Sequence, residues 1–511
     1  MFLTSMKPSR QRVLLEYLVV ASGVFLSGFF AGLPSQYATA GATLVILVIL
    51  YARQHDEQFK TDQRPHADSG LWLAVLLPFA LLTGGNCYSH GEAYIVSEVV
   101  CSQTLLVSVS LLYDASWIVP FISVLWGAGL LIYTTEFVYF AVIISVFAVL
   151  IFQHISSSVK LYSPKSFTVG ELVLVCQGVT TFLSCAVSAL ACKAIYGDEC
   201  SLNSSASAGF LQAGLTSLCL FIAAIQQFPR LRTPLGFYVA LLVSGACLVY
   251  PLCTMMVNHE PVSWLLMHCF DTTTRLCLMI SWLLLTLAAI AFVSYYTTYY
   301  TKSSTVVRKV FHVVVVLVFI PGAVLDPDLM YLACGSILGV FMLLESVRTL
   351  RIPPFGARIH DAFGMFLDEK DCGAFVLTPV YLFIGCATPL LLFPGKFESK
   401  EVAMVLTSGT ISLGIGDTVA SVVGSRIGRH KWPGTVKSIE GTTASILAQF
   451  LVYYVLLWAF QVGVLKIGTL LLLSVLCLNA YLEALTTQVD NLALPVFVYP
   501  LMVTLYAGRK L

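Results

Sequence analysis

Long apolar segments recur along almost the whole of this 511-residue chain, and they constrain its fold more than any other feature. Hydrophobic residues make up 58% of the sequence and charged residues only 11%, and the mean hydropathy is +0.87. Soluble domains carry about 25% charged residues, so this chain could not cover a water-facing surface of its own size. At about 20 residues per crossing, the segments predict an all-α polytopic membrane protein with roughly 15–17 transmembrane helices.

Charge, cysteine and histidine usage argue against several other classes of site. The net charge is only +1, which argues against a nucleic-acid partner. The 15 cysteines include no CxxC pair, so we interpret them as small buried hydrophobic residues rather than metal ligands or disulfide partners. The nine histidines show no HExxH spacing, and no zinc site is expected.

The lysines and arginines between the segments predict the orientation of the chain. With a cytoplasmic amino terminus ahead of an uncleaved first span, most basic residues fall in cytoplasmic loops. The exceptions are Lys396, Lys400, Lys466 and the tail pair Arg509-Lys510. The same alternation puts Asn203, which begins an Asn-X-Ser glycosylation sequence, on the luminal side.

The two halves of the chain differ in their polar residues. Residues 1–300 contain few ionisable residues within the apolar segments, and we interpret them as an N-terminal transmembrane scaffold region. Nearly every notable polar cluster lies in residues 301–511, which we interpret as the catalytic transmembrane region.

The densest polar stretch runs from Gly416 to Thr442, between two apolar segments. Small residues recur there at every fourth position, as Gly416, Ala420, Gly424 and Gly428, and on a helix they would form one bare stripe. Such a stripe permits close approach of a phosphate chain, or alternatively of another helix.

Charged residues in the same stretch favour phosphate chemistry. Cations follow the stripe, and Asp417 and Glu440 flank it with carboxylates. Cations for phosphates and carboxylates for a hard metal ion are the parts that phosphoryl transfer needs. The cations are Arg426, Arg429, His430, Lys431 and Lys437.

Three other polar clusters adjoin apolar segments of the second half. Arg308 and Lys309 alone are typical of a positively charged membrane anchor, but His312 lies within the segment and must find a partner there. The loop from Arg348 to Asp371 is either a solvated charged loop or an amphipathic segment at the membrane surface. In the stretch from Glu483 to Pro495, Asp490 is either functional or an N-cap.

Three of these stretches, in this order, resemble the dolichol kinase family. They are RKVFH, GDTVASVVGSRIGRHKWPGTVKSIEGT and TTQVDNLALP, and the resemblance covers about residues 306–511. This family is related to the phytol kinases and, more distantly, to the phosphatidate cytidylyltransferases. The cytidylyltransferases end the block with a Ser-Pro-Lys-Lys run, where this chain has Trp432-Pro433-Gly434-Thr435.

The resemblance implies a function and a location. Residues 416–442 would be the CTP-binding segment, CTP the phosphoryl donor, and a long-chain polyprenol such as dolichol the acceptor. The protein would lie in the endoplasmic reticulum membrane with its active face in the cytoplasm, and dolichyl phosphate would serve protein glycosylation as a glycan carrier.

We assign the following roles as hypotheses. Asp490, Lys437 and His312 are the predicted catalytic residues: Asp490 as metal ligand or base, Lys437 on the phosphates, and His312 orienting a carboxylate. Mg²⁺ or a similar cation would bind Asp417, Glu440 and Asp490. The predicted nucleotide-binding residues are Gly416, Gly424, Gly428, Arg429, Lys431, Lys437, Ser438 and Gly441.

Two other functions remain open from the residues. A CTP:phosphatidate cytidylyltransferase would transfer CMP instead of phosphate. A transporter would bind its solute near the middle of the membrane, whereas here the charges gather at one face and no inverted repeat is visible.

Overall fold

The computed structural model confirms the predicted all-α membrane fold. It describes residues 8–53, 64, 67–88, 91–113, 117–134, 138–200, 202, 205–299, 305–364, 376–395, 397, 400–460 and 466–507. These residues form nineteen helices and no strand. Asn203, Lys396 and the acidic end of the loop that precedes Cys372 lie outside the described residues.

The helices are numbered here in chain order. They are α1 Pro8–Ala31, α2 Pro34–Arg53, α3 Leu71–Cys87, α4 Glu92–Tyr113, α5 Ile118–Thr134, α6 Val138–Tyr162, α7 Val169–Tyr196, α8 Ala206–Gln227, α9 Pro234–Val257, α10 Pro261–Phe270, α11 Thr273–Tyr299, α12 Thr305–Leu325, α13 Pro327–Thr349, α14 Gly356–Gly364, α15 Thr378–Leu392, α16 Glu401–Ile427, α17 Ile439–Ala459, α18 Lys466–Leu485 and α19 Asp490–Ala507.

Within the described residues, eleven helices are long and apolar enough to cross a membrane, and six shorter apolar helices accompany them. Helix α14 begins inside the loop that was predicted to be either solvated or amphipathic, and residues 365–375 of that loop lie outside the described part.

Helix α19 lies at the centre of the main hydrophobic core. A helix that is apolar all round is expected to be buried on every side, and α19 packs against α1, α3, α15 and α18. Tyr499 and Met502 on α19, Val20 on α1 and Trp72 on α3 are fully buried in this core. The core therefore contains residues from both predicted regions.

The two ends of α7 define two faces of the protein. Its first residues pack against the segment between α18 and α19, whereas Cys192 near its last turn forms a disulfide with Cys200. The prediction that no cysteine is a disulfide partner is wrong for this pair. After Gly197, with φ of 58°, a short turn returns the chain toward α7, which a search for CxxC spacing could not detect.

Candidate active site

Three carboxylates converge at one end of the helix bundle. Asp417 comes from α16, Glu483 from the last turn of α18, and Asp490 from the first turn of α19. One carboxylate oxygen from each lies within 4.8 Å of the others. Such a cluster of oxygen ligands suits a hard divalent cation.

A local distortion of α16 presents Asp417 to this cluster. Residues Ile411–Asp417 form a π-helical turn, a rare feature that often occurs at functional sites. A Cβ atom at Gly414 would lie 2.2 Å from Val316 Cγ2, and one at Gly416 would lie 2.6 Å from Gln449 Nε2. These two glycines therefore allow α12 and α17 to pack closely on both sides of the turn.

Two residues of α12 contact Asp417. Lys309 Nζ lies 2.7 Å from Asp417 Oδ2 and also donates to the Asp417 carbonyl at 3.3 Å. His312 Nε2 lies 3.2 Å from the same carboxylate oxygen. Because Lys309 and His312 are three residues apart, both side chains lie on one face of α12.

Lys437 contacts the other two carboxylates. Its Nζ donates to Glu483 Oε1 at 2.6 Å and to the Glu483 carbonyl at 2.5 Å, and it lies 3.2 Å from Asp490 Oδ2. Burial by itself would lower the pKa of Lys437, but the carboxylates of Asp490 and Glu483 outweigh it and hold the pKa above its usual value. The ammonium therefore stays protonated at neutral pH.

The segment between α16 and α17 folds back on itself and aims Lys437 at the carboxylates. The Trp432 N–H donates to the Lys437 carbonyl at 3.1 Å, and the Ile439 N–H donates to the His430 carbonyl at 2.9 Å. Gly434, with φ of 70°, supplies the left-handed conformation that the turn requires. Ser438 then begins α17 by accepting the Gly441 N–H at 3.2 Å.

Comparison with known proteins assigns the chain to a family. Residues 73–448 match the family model of dolichol kinase. The chain belongs to the dolichol kinase family. It is 34% identical to the dolichol kinase of Bos taurus over 375 residues, which is 70% of this chain and 68% of that protein.

Two other known proteins are also similar to this chain. The dolichol kinase of Homo sapiens is 33% identical over 373 residues, 69% of this chain and 68% of that protein. A phytol kinase of Synechocystis is 34% identical over 117 residues, 22% of this chain and 49% of that protein. No solved structure matches.

The match to the dolichol kinase family extends further toward the amino terminus than the sequence motifs suggested. The motifs cover about residues 306–511, whereas the family match begins at residue 73. The matched range includes Asp417 and Lys437 but ends before Glu483 and Asp490.

The structure places Glu440, one of the predicted metal ligands, away from the three carboxylates. Glu440 Oε1 instead lies 2.7 Å from His430 Nδ1, and the His430 N–H donates to the same carboxylate at 3.1 Å. His430 and Glu440 lie at opposite ends of the segment that folds back between α16 and α17, so their contact holds the two ends of this segment together. Arg429 and Lys431 are exposed beside this pair and do not reach the carboxylates.

The predicted glycine stripe packs against the start of α17. A Cβ atom at Gly424 or Gly428 would lie 2.9 Å or 2.3 Å from Ser438 Oγ, and one at Gly441 would lie 2.6 Å from the Ala420 carbonyl oxygen. This is the helix-packing arrangement that the sequence left open as the alternative to a phosphate cradle. Gly416, Gly424, Gly428, Ser438 and Gly441 therefore share one helix contact, and their role toward a nucleotide stays a prediction.

Two residues of the cluster were absent from the predicted site. Lys309 alone is typical of a membrane anchor, yet its spacing of three residues from His312 indicates that both side chains face one partner, which is Asp417. From the sequence, Glu483 is an acid seven residues before Asp490 with no assigned role in the site. Its membership depends on the connection between α18 and α19, which no local pattern predicts.

Proposed function

We propose that this chain transfers the γ-phosphate of CTP to dolichol and releases CDP and dolichyl phosphate. The observation that supports this most is the meeting of Asp417, Glu483 and Asp490 beside Lys437. Glu483 and Asp490 lie at the ends of membrane helices, Asp417 lies at the π-helical turn within α16, and the chain belongs to the dolichol kinase family. A lipid kinase needs its polar groups at this depth, because its donor is water-soluble and its acceptor dissolves in the bilayer.

Catalysis of phosphoryl transfer depends mostly on positioning and on neutralising charge. The dolichol oxygen attacks the γ-phosphorus, the bond from that phosphorus to the β,γ-bridging oxygen breaks, and CDP leaves. We propose that the carboxylate of Asp490 acts as the base and accepts the proton of the dolichol hydroxyl. Lys309 and Lys437 contact the carboxylates directly and are therefore suited to face the phosphates.

The donor set of the cluster fits Mg²⁺. Asp417, Glu483 and Asp490 all offer oxygen, and among the described residues these three carboxylates outnumber the two lysines that contact them. When bound, the cation would neutralise charge on the donor phosphates. His312 keeps Asp417 in place from the side of α12. The role of Glu440 as a metal ligand has no such support, because it pairs with His430.

We further propose that the carboxylate cluster lies on the cytoplasmic side of the endoplasmic reticulum membrane. Cys192 and Cys200 lie at the opposite end of α7 from the contacts with the cluster-bearing segment. Disulfides form in oxidising compartments such as the endoplasmic reticulum lumen. The predicted glycosylation site at Asn203 follows Cys200 closely in sequence, which gives the same orientation.

The test uses purified protein in liposomes that contain both dolichol and phosphatidate, with CTP labelled at either the γ- or the α-phosphate. We expect label from the γ-position in the lipid fraction and none from the α-position. The reverse would mean a cytidylyltransferase, and no lipid label from either position would refute the proposed function. Asp417→Asn should abolish the γ-label, whereas Asp271→Asn, at an exposed aspartate between α10 and α11, serves as the matched control. Excess unlabelled ATP should not compete if CTP is the donor.

A further inference from the structure

The segment between α18 and α19 carries the candidate active site on both of its ends. Glu483 lies two residues before Leu485, where α18 ends, and Asp490 is the first residue of α19. Any displacement of residues 486–489 would therefore change the distance between these two carboxylates. The contacts that hold residues 486–489 in place therefore also determine the geometry of the candidate active site.

Residues from the first third of the chain hold the segment through its backbone. Arg12 Nη1 donates to the Leu485 carbonyl at 2.9 Å, and Arg64 Nη2 donates to the Thr487 carbonyl at 3.2 Å. The Val489 N–H, directly before Asp490, donates to Glu171 Oε1 at 2.8 Å. Three alternate residues from Leu485 to Val489 are thus tied to residues more than 300 positions away in sequence.

Glu171 is itself fixed from two sides. Arg64 Nη2 lies 2.9 Å from Glu171 Oε1, and the two side chains are 3% and 1% exposed. The other carboxylate oxygen accepts the Thr168 N–H at 3.0 Å, completing a capping box at the start of α7. Because α7 is a long, buried helix, this places the Val489 acceptor on a rigid element.

Gln488 is bound through its side chain and is fully buried. Its Nε2 donates to Asp68 Oδ1 at 2.7 Å and to the Asp68 carbonyl at 3.2 Å, and its Oε1 accepts from Thr168 Oγ1 at 2.6 Å. Arg12 contacts the second carboxylate oxygen of Asp68. Gly70, with φ of 58°, leaves room for this amide, because a Cβ atom there would lie 2.3 Å from Gln488 Oε1.

We propose that Asp68 and Glu171 are positioning residues for the candidate active site. By binding Gln488 and the Val489 N–H, they set where Asp490 and Glu483 lie relative to Asp417. The catalytic part of this inference rests on the proposed function. It also assigns a direct role to the N-terminal region, which the sequence suggested was only a scaffold. A misplacement of about 1 Å at an active site can cost about 100-fold in rate, so the effect should be measurable.

The test exchanges the donor and the acceptor between Asp68 and Gln488. Gln488→Glu sets a carboxylate against the Asp68 carboxylate, and Asp68→Asn sets an amide against the Gln488 amide. In the double variant, the new amide at position 68 donates to the new carboxylate at position 488. The acceptors for Arg12 and Thr168 are kept and the charge of the network is unchanged, so the double variant loses only the 3.2 Å bond from position 488 to the carbonyl of residue 68.

Two quantities are measured on the full-length purified protein. The first is Mn²⁺ binding, detected by electron paramagnetic resonance, and the second is the turnover of dolichol. We expect each single variant to weaken Mn²⁺ binding and lower kcat by about tenfold or more. The double variant should recover both to within about threefold of the wild type, which is the coupling expected of directly contacting residues. Gln103→Glu is the matched control, since Gln103 is equally buried but donates to Ser145 on α6.

If both single variants bind Mn²⁺ and turn over dolichol as well as the wild type does, the inference is overturned. The inference is also overturned if the double variant loses as much Mn²⁺ affinity and kcat as the two single variants lose together, because the two positions would then act independently. Where Gln488→Glu does not accumulate, Glu171→Gln replaces it, and unchanged Mn²⁺ binding in that variant would again count against the inference. If the wild type transfers no phosphate to dolichol, the proposed function fails, whereas the Mn²⁺ pattern still decides the positioning role.

Discussion

Asp490→Asn distinguishes a functional carboxylate from a structural one. Helix α19 begins at Asp490, and the first carbonyl that accepts within this helix belongs to Val489, so Asp490 lies in the first turn rather than at the N-cap. Removing its charge costs about 0.3–1 kcal/mol through the helix dipole. Lys437 keeps its 2.6 Å contact with Glu483, so the substitution leaves no buried charge without a partner. We therefore expect the variant to fold and to accumulate normally.

The effect on metal binding should be larger than the effect on folding. Two unit charges about 4 Å apart interact by about 4 kcal/mol at an effective dielectric constant near 20. The Asp490 side chain is 18% exposed, and solvent screening reduces this interaction. A remaining loss of about 1.4–2.8 kcal/mol corresponds to a 10- to 100-fold higher Mg²⁺ concentration for half-maximal activity.

The assay measures the initial rate of dolichol phosphorylation as a function of Mg²⁺ at saturating CTP. We expect Asp490→Asn to raise the half-saturating Mg²⁺ concentration and to lower kcat, because the amide keeps the shape but loses the charge. Asp271→Asn should match the wild type in both quantities. An Asp490→Asn enzyme with unchanged Mg²⁺ dependence and unchanged kcat would assign Asp490 to helix structure and refute the reasoning.

Three further outcomes are expected. Lys437→Ala should reduce transfer by at least about 100-fold while membrane insertion stays normal, because the variant loses the charge beside Glu483 and Asp490. Glu440→Gln should change the Mg²⁺ dependence by less than about threefold, since Glu440 contacts His430 instead of the cluster. A glycosylation sequence engineered beside Lys431 should stay unmodified in microsomes, whereas Asn203, if modified at all, should carry a glycan.

Each of these outcomes has a result that would contradict it. Near-normal turnover of Lys437→Ala, measured beside Lys165→Ala as an exposed-lysine control, would remove Lys437 from the site. A Mg²⁺ requirement in Glu440→Gln that rises as steeply as in Asp490→Asn would restore Glu440 as a metal ligand. Glycan at the engineered position would invert the proposed orientation of the active face.

Several features of the fold and the site could be predicted from local sequence. The membrane class follows from composition, because inside a bilayer each segment must satisfy its own backbone hydrogen bonds and therefore becomes a helix. The start of α17 at Ser438 and the turn at Gly434 also follow from local chemistry, since a cap needs a side-chain acceptor and a left-handed turn favours glycine.

Only the tertiary structure decided which charged residues meet. Asp417, Asp490 and Lys437 were named together from the sequence, but Glu483 and Lys309 join them because of how α18 and α12 pack, and Glu440 turns instead toward His430. The contacts of Asp68 and Glu171 with residues 488 and 489 span more than 300 positions of sequence. The physical reason is that helical periodicity specifies which face a residue occupies, whereas the partner of that face depends on how distant helices pack around α19.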